Sequence, residues 1–168
     1  MTSATVGHTV SAVLTNRRAG TFDANLLLRA TSTAATTAVV GTYAAPDWAS
    51  SFVDLGDGAF FGRVVIHKFA PTLANADNTM RFVLMGADAA GTLTAPLGEL
   101  QIGAAAALWG GSAAWGNAAF IETGDLSFCF NNVQQGLRFP QAKLLLINGG
   151  TASGFTSGTF GAFISRIN

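Results

Sequence analysis

The chain has 168 residues, nine basic and nine acidic side chains, no formal net charge, and only 11% charged residues, against roughly 25% in an ordinary soluble domain. A length of this order fits one domain that closes its own core, so residues 1–168 are expected to form a single β-sandwich domain. With no Lys/Arg cluster to neutralise phosphates, with no apolar run near the ~20 residues of a membrane span, and with neither a basic nor an apolar stretch in the opening MTSATVGHTV, the expectation is no nucleic-acid partner, no membrane helix and no secretory leader.

Strand signals dominate, punctuated by Gly, Asn, Asp and Pro. In chain order the candidate strands are 9–15 (TVSAVLT), 21–30 (TFDANLLLRA), 36–42 (TTAVVGT), 50–55 (SSFVDL), 61–69 (FGRVVIHKF) and 79–86 (TMRFVLMG). They continue with 119–123 (AFIET), 126–131 (LSFCFN), 136–139, 142–148 (AKLLLIN) and 158–167 (GTFGAFISRI). The spacing of Leu97, Leu100, Ala104, Ala107 and Leu108 suggests the one helix candidate, over 97–109, although Gly98 and Gly103 weaken it and a loop with a short helical turn fits the stretch equally well. The fold class is therefore all-β, a jelly-roll-like sandwich with long Gly/Ala/Thr-rich loops and at most one short helix. Residues 1–20 read as an extended N-terminal arm.

Alternation in 61–69 puts Phe61, Arg63, Val65, His67 and Phe69 on one side and Gly62, Val64, Ile66 and Lys68 on the other, so both faces carry apolar residues. The last strand behaves likewise, with Phe160, Ala162 and Ile164 opposite Phe163 and Ile167. Such strands suit a two-sheet sandwich packed against a neighbouring subunit. The single cysteine, Cys129 between Phe128 and Phe130, reads as a small apolar core residue of a protein made in a reducing cytoplasm.

The chemistry-bearing residues are sparse. Two histidines, His8 and His67, and two glutamates leave little from which to build an acid/base pair, so no enzyme activity, catalytic residue, small-molecule substrate or cofactor is expected. Metal ligation needs three or more convergent groups, and His8, His67 and Cys129 form no local pair. The run Val53-Asp54-Leu55-Gly56-Asp57-Gly58, with Asp77 further on, has oxygen ligands but not the later bidentate glutamate of a calcium loop, so a Gly/Asp turn is the favoured reading and no metal site is assigned. Residues 75–78 (NADN) read as a tight polar turn. No glycine cluster matches a phosphate-binding loop.

Thirteen Phe, three Trp and 20 Gly beside so few charges leave apolar material in excess of solvating polarity, which points to protein–protein contact. Two stretches add a resemblance. Ser51-Phe52-Val53-Asp54-Leu55-Gly56, then Gly62-Arg63-Val64-Val65-Ile66 and 75–88 (NADNTMRFVLMGAD), carry a φ-Asp-Leu-Gly turn before a strand and an Asp-x-Thr-φ-x-φ-x-φ-x-Gly-Ala strand. Leu137-Arg138-Phe139-Pro140, Lys143-Leu144-Leu145-Leu146-Ile147, Gly149-Gly150-Thr151-Ala152-Ser153-Gly154 and Ala162-Phe163-Ile164-Ser165 complete the order. Over residues 50–168 this resembles the capsid cement, or decoration, proteins of tailed bacteriophages.

The resemblance implies a jelly-roll-like homotrimer, made in the bacterial host cytoplasm and seated on the outer capsid surface of the virion, where it binds the major capsid protein and stabilises junctions between its subunits. Because Arg and Trp dominate interface hot spots, the residues expected to anchor such contacts are Arg17, Arg18, Trp48, Trp109 and Trp115. The alternative is a carbohydrate-binding β-sandwich module in which Trp48, Trp109 or Trp115 stacks on sugar rings.

Overall fold

The computed structural model of the protein describes residues 26–31, 41–69, 79–103, 124–149 and 159–167. Among them the strands are β1 (Leu27–Arg29), β2 (Trp48–Ala49), β3 (Val53–Asp54), β4 (Phe61–Phe69), β5 (Thr79–Ala87), β6 (Thr94–Gly103), β7 (Gly124–Asn131), β8 (Val133–Gln134), β9 (Leu137–Arg138), β10 (Gln141–Gly149) and β11 (Gly161–Arg166). One sheet runs β1-β11-β4-β7; the other runs β2-β10-β5-β6, with β3 also on β10; β8 and β9 form a small hairpin. The fold is an all-β sandwich, and every pairing is antiparallel.

The pairings are nested about a single turn. β5 pairs with β6, β4 with β7, β2 and β3 with β10, and β1 with β11. The chain is thus a long antiparallel ribbon whose closed tip is the 88–93 turn, wrapped so that β10 also meets β5 and β11 also meets β4. These two lateral seams turn one ribbon into two sheets.

Alternation decides which side chains meet between the sheets. Val64 and Ile66 of β4, Phe128 and Phe130 of β7, and Ala162 and Ile164 of β11 face Met80, Phe82 and Leu84 of β5 and Ala142, Leu144 and Leu146 of β10, all in one buried cluster. At ~25 cal/mol per Å² of apolar surface removed from water, this layer is the main source of stability. The sheets come closest along the β6/β7 edge, where a Cβ on Gly98 would lie 3.0 Å from the Cys129 carbonyl oxygen. Glycine is required there by the neighbouring backbone and not by its own dihedrals.

The five-stranded sheet also carries apolar side chains on its outer face. Val83, Leu145 and Ile147 point away from the main core and form a second buried cluster on the outer face of the five-stranded sheet, with Met85 packed against it.

Three expectations need correction. Residues 97–103 belong to strand β6 and not to a helix, and no α-helix occurs among the described residues. The register slips between Leu84 and Met85, so that Leu84 faces Gly98 while Met85 faces Pro96. This bulge in β6 resets the alternation, placing Leu97 and then Leu100 on the core side, and an apolar pair three apart imitates a helical period. Residues 104–109 of the expected helix lie outside the described residues. Second, Cys129 is exposed; with Leu126, Phe128 and Phe130 turned inward, the intervening position must turn outward. Third, the strand expected over 50–55 is confined to Val53–Asp54.

Strands β4, β5, β7, β10 and β11 fall within a few residues of their expected ranges. Of the expected strand over 21–30, Leu27–Arg29 is strand. Residues 41 and 42 are not, and the remainder of 36–42 lies outside the described residues, as do 9–15, 119–123, the 75–78 turn and the 1–20 arm.

Candidate functional site

The strand termini at 54, 61, 87, 94, 131, 141 and 166 gather the turns 55–60, 88–93 and 132–140 at one end of the sandwich. Among the described residues, this turn end carries most of the large apolar side chains left in water: Phe52 is 39%, Phe61 51%, Leu93 49% and Leu137 53% exposed. Burying such groups against a partner is the favourable term in association.

The turns beneath them are rigidly tied. Asn132, wholly buried, accepts the Phe60 N–H through Oδ1 at 2.7 Å and donates through Nδ2 to the Gly58 and Phe139 carbonyl oxygens at 3.1 and 3.3 Å. Its own backbone bonds to Phe60 and Phe139. One side chain therefore fastens the 55–60 turn, the end of β7 and the return into β10.

In the β5–β6 turn, Asp88 accepts the Thr92 N–H and hydroxyl at 2.7 and 2.8 Å. The Thr92 hydroxyl is the leading cause that holds the Asp88 carboxyl below its ordinary value, supported by its backbone bonds. The β8–β9 hairpin turns on Gln135 and Gly136 at φ 51° and 78°, the geometry of a two-residue turn with both central residues left-handed.

The Asp54 turn is local capping. Asp54 Oδ1 accepts the Gly56 N–H at 2.7 Å, and Gly56 has a φ of 82°, so the Asp-Leu-Gly run is a side-chain-closed turn. Among the described residues, no three His, Cys, Asp or Glu side chains converge in a way that could hold a metal ion. His67 on β4 meets Asp125 on β7 at 2.7 Å, on the outer face of the four-stranded sheet.

Of the five expected anchors, only Trp48 lies among the described residues; Arg17, Arg18, Trp109 and Trp115 lie outside them. Trp48 is half-buried, its ring packed edge-on against Phe160 at 6.1 Å. The Arg29 guanidinium sits 4.5 Å from the Trp48 ring centre and 4.4 Å from that of Phe160. Arg29 itself is buried, and burial lowers its pKa. Trp48 is thus engaged within its own chain, closing the β1/β2 edge of the sandwich.

Arg29 and Asn132 were not singled out by sequence reasoning. Arg29 ends the run Leu26-Leu27-Leu28, and a charge closing an apolar strand is ordinarily a solvated end, so no local signal marks it as buried. The exposed residues Phe52, Phe61, Leu93 and Leu137 could be found only by knowing which members of alternating strands and turns face outward.

No protein-family model, curated protein or solved structure matches this chain.

Proposed function

We propose that this chain is a capsid cement protein of a tailed bacteriophage, a non-enzymatic virion component that binds the major capsid protein and copies of itself on the outer surface of the head. The observation that carries the reading is the turn end: four large apolar side chains exposed on or beside turns tied by side-chain hydrogen bonds, in a chain with few charges to solvate it. A preformed apolar surface loses little conformational entropy on docking. The nested strand order supports a jelly roll, since two Greek keys arise when a long antiparallel ribbon wraps into two sheets.

Binding of this kind stabilises by mass action, because a subunit that prefers the expanded shell shifts the shell toward that state. A homotrimer repeats each contact three times, so modest interfaces add through avidity. The reaction inventory of the chain is not called upon.

The test is light scattering of the purified chain followed by co-sedimentation with expanded empty heads of the phage that carries it. A trimer that pellets with the heads is expected. The double variant Phe61→Asp with Leu137→Asp should remain folded, since both residues are exposed, and should lower head affinity by about a hundredfold, the effect of losing two apolar anchors. A monomer that stays in the supernatant overturns the proposal.

A further inference from the structure

Tyr43 lies outside every strand, in the bend that precedes β2, yet its side chain is carried over the outer face of the five-stranded sheet. The Arg81 guanidinium carbon is 4.7 Å from the Tyr43 ring centre. The phenol is held twice: it accepts from Arg81 Nη2 and donates to Glu99 Oε2 at 2.9 Å. Arg81 Nη2 also reaches that carboxylate oxygen at 3.5 Å. Register sets Gln101 directly opposite Arg81, and Glu99 opposite Val83, so Arg81, Glu99 and Gln101 share this face.

Pinning the bend does not account for the arrangement. The Gly41 N–H bonds to the Asn148 carbonyl oxygen, and Asp47 Oδ2 accepts the Asn148 N–H, so the segment is already anchored on both sides of Tyr43. Tyr43 is nevertheless 44% exposed, beside an Arg81 side chain 30% and a Glu99 side chain 50% exposed.

We propose that Tyr43, Arg81, Glu99 and Gln101 form a binding site for a neutral saccharide chain. A sugar ring presents an apolar C–H face and a rim of hydroxyls that both donate and accept. The Tyr43 ring supplies a flat apolar surface for the first; Arg81 donates, Glu99 accepts and Gln101 does both for the second. The Arg81 and Glu99 charges cancel, so a phosphate or sulfate group would meet a carboxylate and an ammonium group would meet a guanidinium. An apolar peptide would bury three polar side chains without replacing their water. Because the ring is already fixed by two hydrogen bonds and a cation, little ordering remains to oppose binding. The site lies on a sheet face, separate from the apolar turn end, and goes beyond attachment to the head.

The test is calorimetric titration of the full chain with neutral oligosaccharides, namely malto-, cello-, manno- and galacto-hexaoses, with sulfated and sialylated glycans as controls. Saturable binding of at least one neutral series is expected. Tyr43→Ala should weaken it about tenfold by removing the stacking surface, and Gln101→Ala about threefold. Tyr43→Phe, which keeps the ring, should retain most of the affinity. Thermal unfolding of each variant reports on folding, and co-sedimentation with heads should be unchanged. No binding to any neutral series, equal binding by a folded Tyr43→Ala, or a preference for the anionic controls overturns the proposal.

Discussion

Asn132 and Asn148 are both wholly buried, at opposite ends of the sandwich, and their carboxamides are treated differently. At the turn end, the Asn132 carboxamide makes three hydrogen bonds that organise the turns around it. At the other end, neither Oδ1 nor Nδ2 of Asn148 has a hydrogen-bond partner among the described residues. The nearby carboxylates follow the same division. Asp88, bonded by Thr92 at the turn end, is held below its ordinary value, whereas burial raises that of Asp47, which accepts the Asn148 backbone N–H. Burial alone therefore says little about a polar group: where partners are supplied it specifies a conformation, and where they are not it costs stability.

Substitution of the two asparagines is the sharpest way to break this comparison. Asn132→Ala leaves the Phe60 N–H and the Phe139 carbonyl without their buried partner, and should destabilise by about 3 kcal/mol in urea unfolding. It should also loosen the apolar end, and under the proposed function head affinity falls with it. A cost under about 1 kcal/mol would show that the turns hold without the carboxamide.

Asn148→Leu keeps the branching of the side chain and removes two unsatisfied polar atoms. It should leave stability unchanged or raise it by about 1–2 kcal/mol. Destabilisation by a comparable amount would mean that ordered water satisfies the carboxamide.

The smallest effect is the pH dependence, and its sign differs between the two ends. Asp88 has a depressed folded value, so its contribution is present above the ordinary 3.8 and is lost as pH falls through the folded value. Asp47 has a raised folded value, so its contribution is complete below 3.8 and is lost as pH rises through the folded value. In urea titrations from about pH 3 to about pH 7, Asp88→Asn should lie below the parent near neutrality and converge with it in acid. Asp47→Asn should lie at or above the parent near neutrality and converge as pH falls. Deviations of the same sign would remove the distinction between the two ends.

The strands were legible in the sequence where alternation was unbroken. In β7 the buried members fall at every second position, and in β4 and β11 the core-facing Val64, Ile66, Ala162 and Ile164 keep that period although Val65, Gly161 and Ser165 on the other side are buried as well; the bounds follow from the Gly, Asn and Asp residues around them. The sequence misled where one residue changed the phase. The bulge opposite Leu84 and Met85 made Leu97 and Leu100 resemble helix neighbours, and no local feature distinguishes the two spacings. Cys129 was misplaced for a related reason: flanking aromatics suggest a core, but alternation sends the residue between two inward phenylalanines outward.

Candidate sites were less legible than strands because they depend on long-range register. Tyr43 and Glu99 are 56 residues apart in sequence, and Asn132 reaches a carbonyl 74 residues away. Trp48, of a residue type that dominates interfaces, is engaged by Arg29 and Phe160 within the same chain. Residue type gives the capacity for contact, and neighbours determine how much of that capacity is already used.

The sequence by itself determined the all-β class, the apolar layer and the scarcity of charge, because each depends on composition or on a period of two along a single strand. Tertiary structure alone decided which strands pair about the 88–93 turn, which turns hold apolar side chains in water, and which buried polar groups find partners. Those outcomes depend on residues tens of positions apart arriving at one point, and chain connectivity carries no local signal for that meeting.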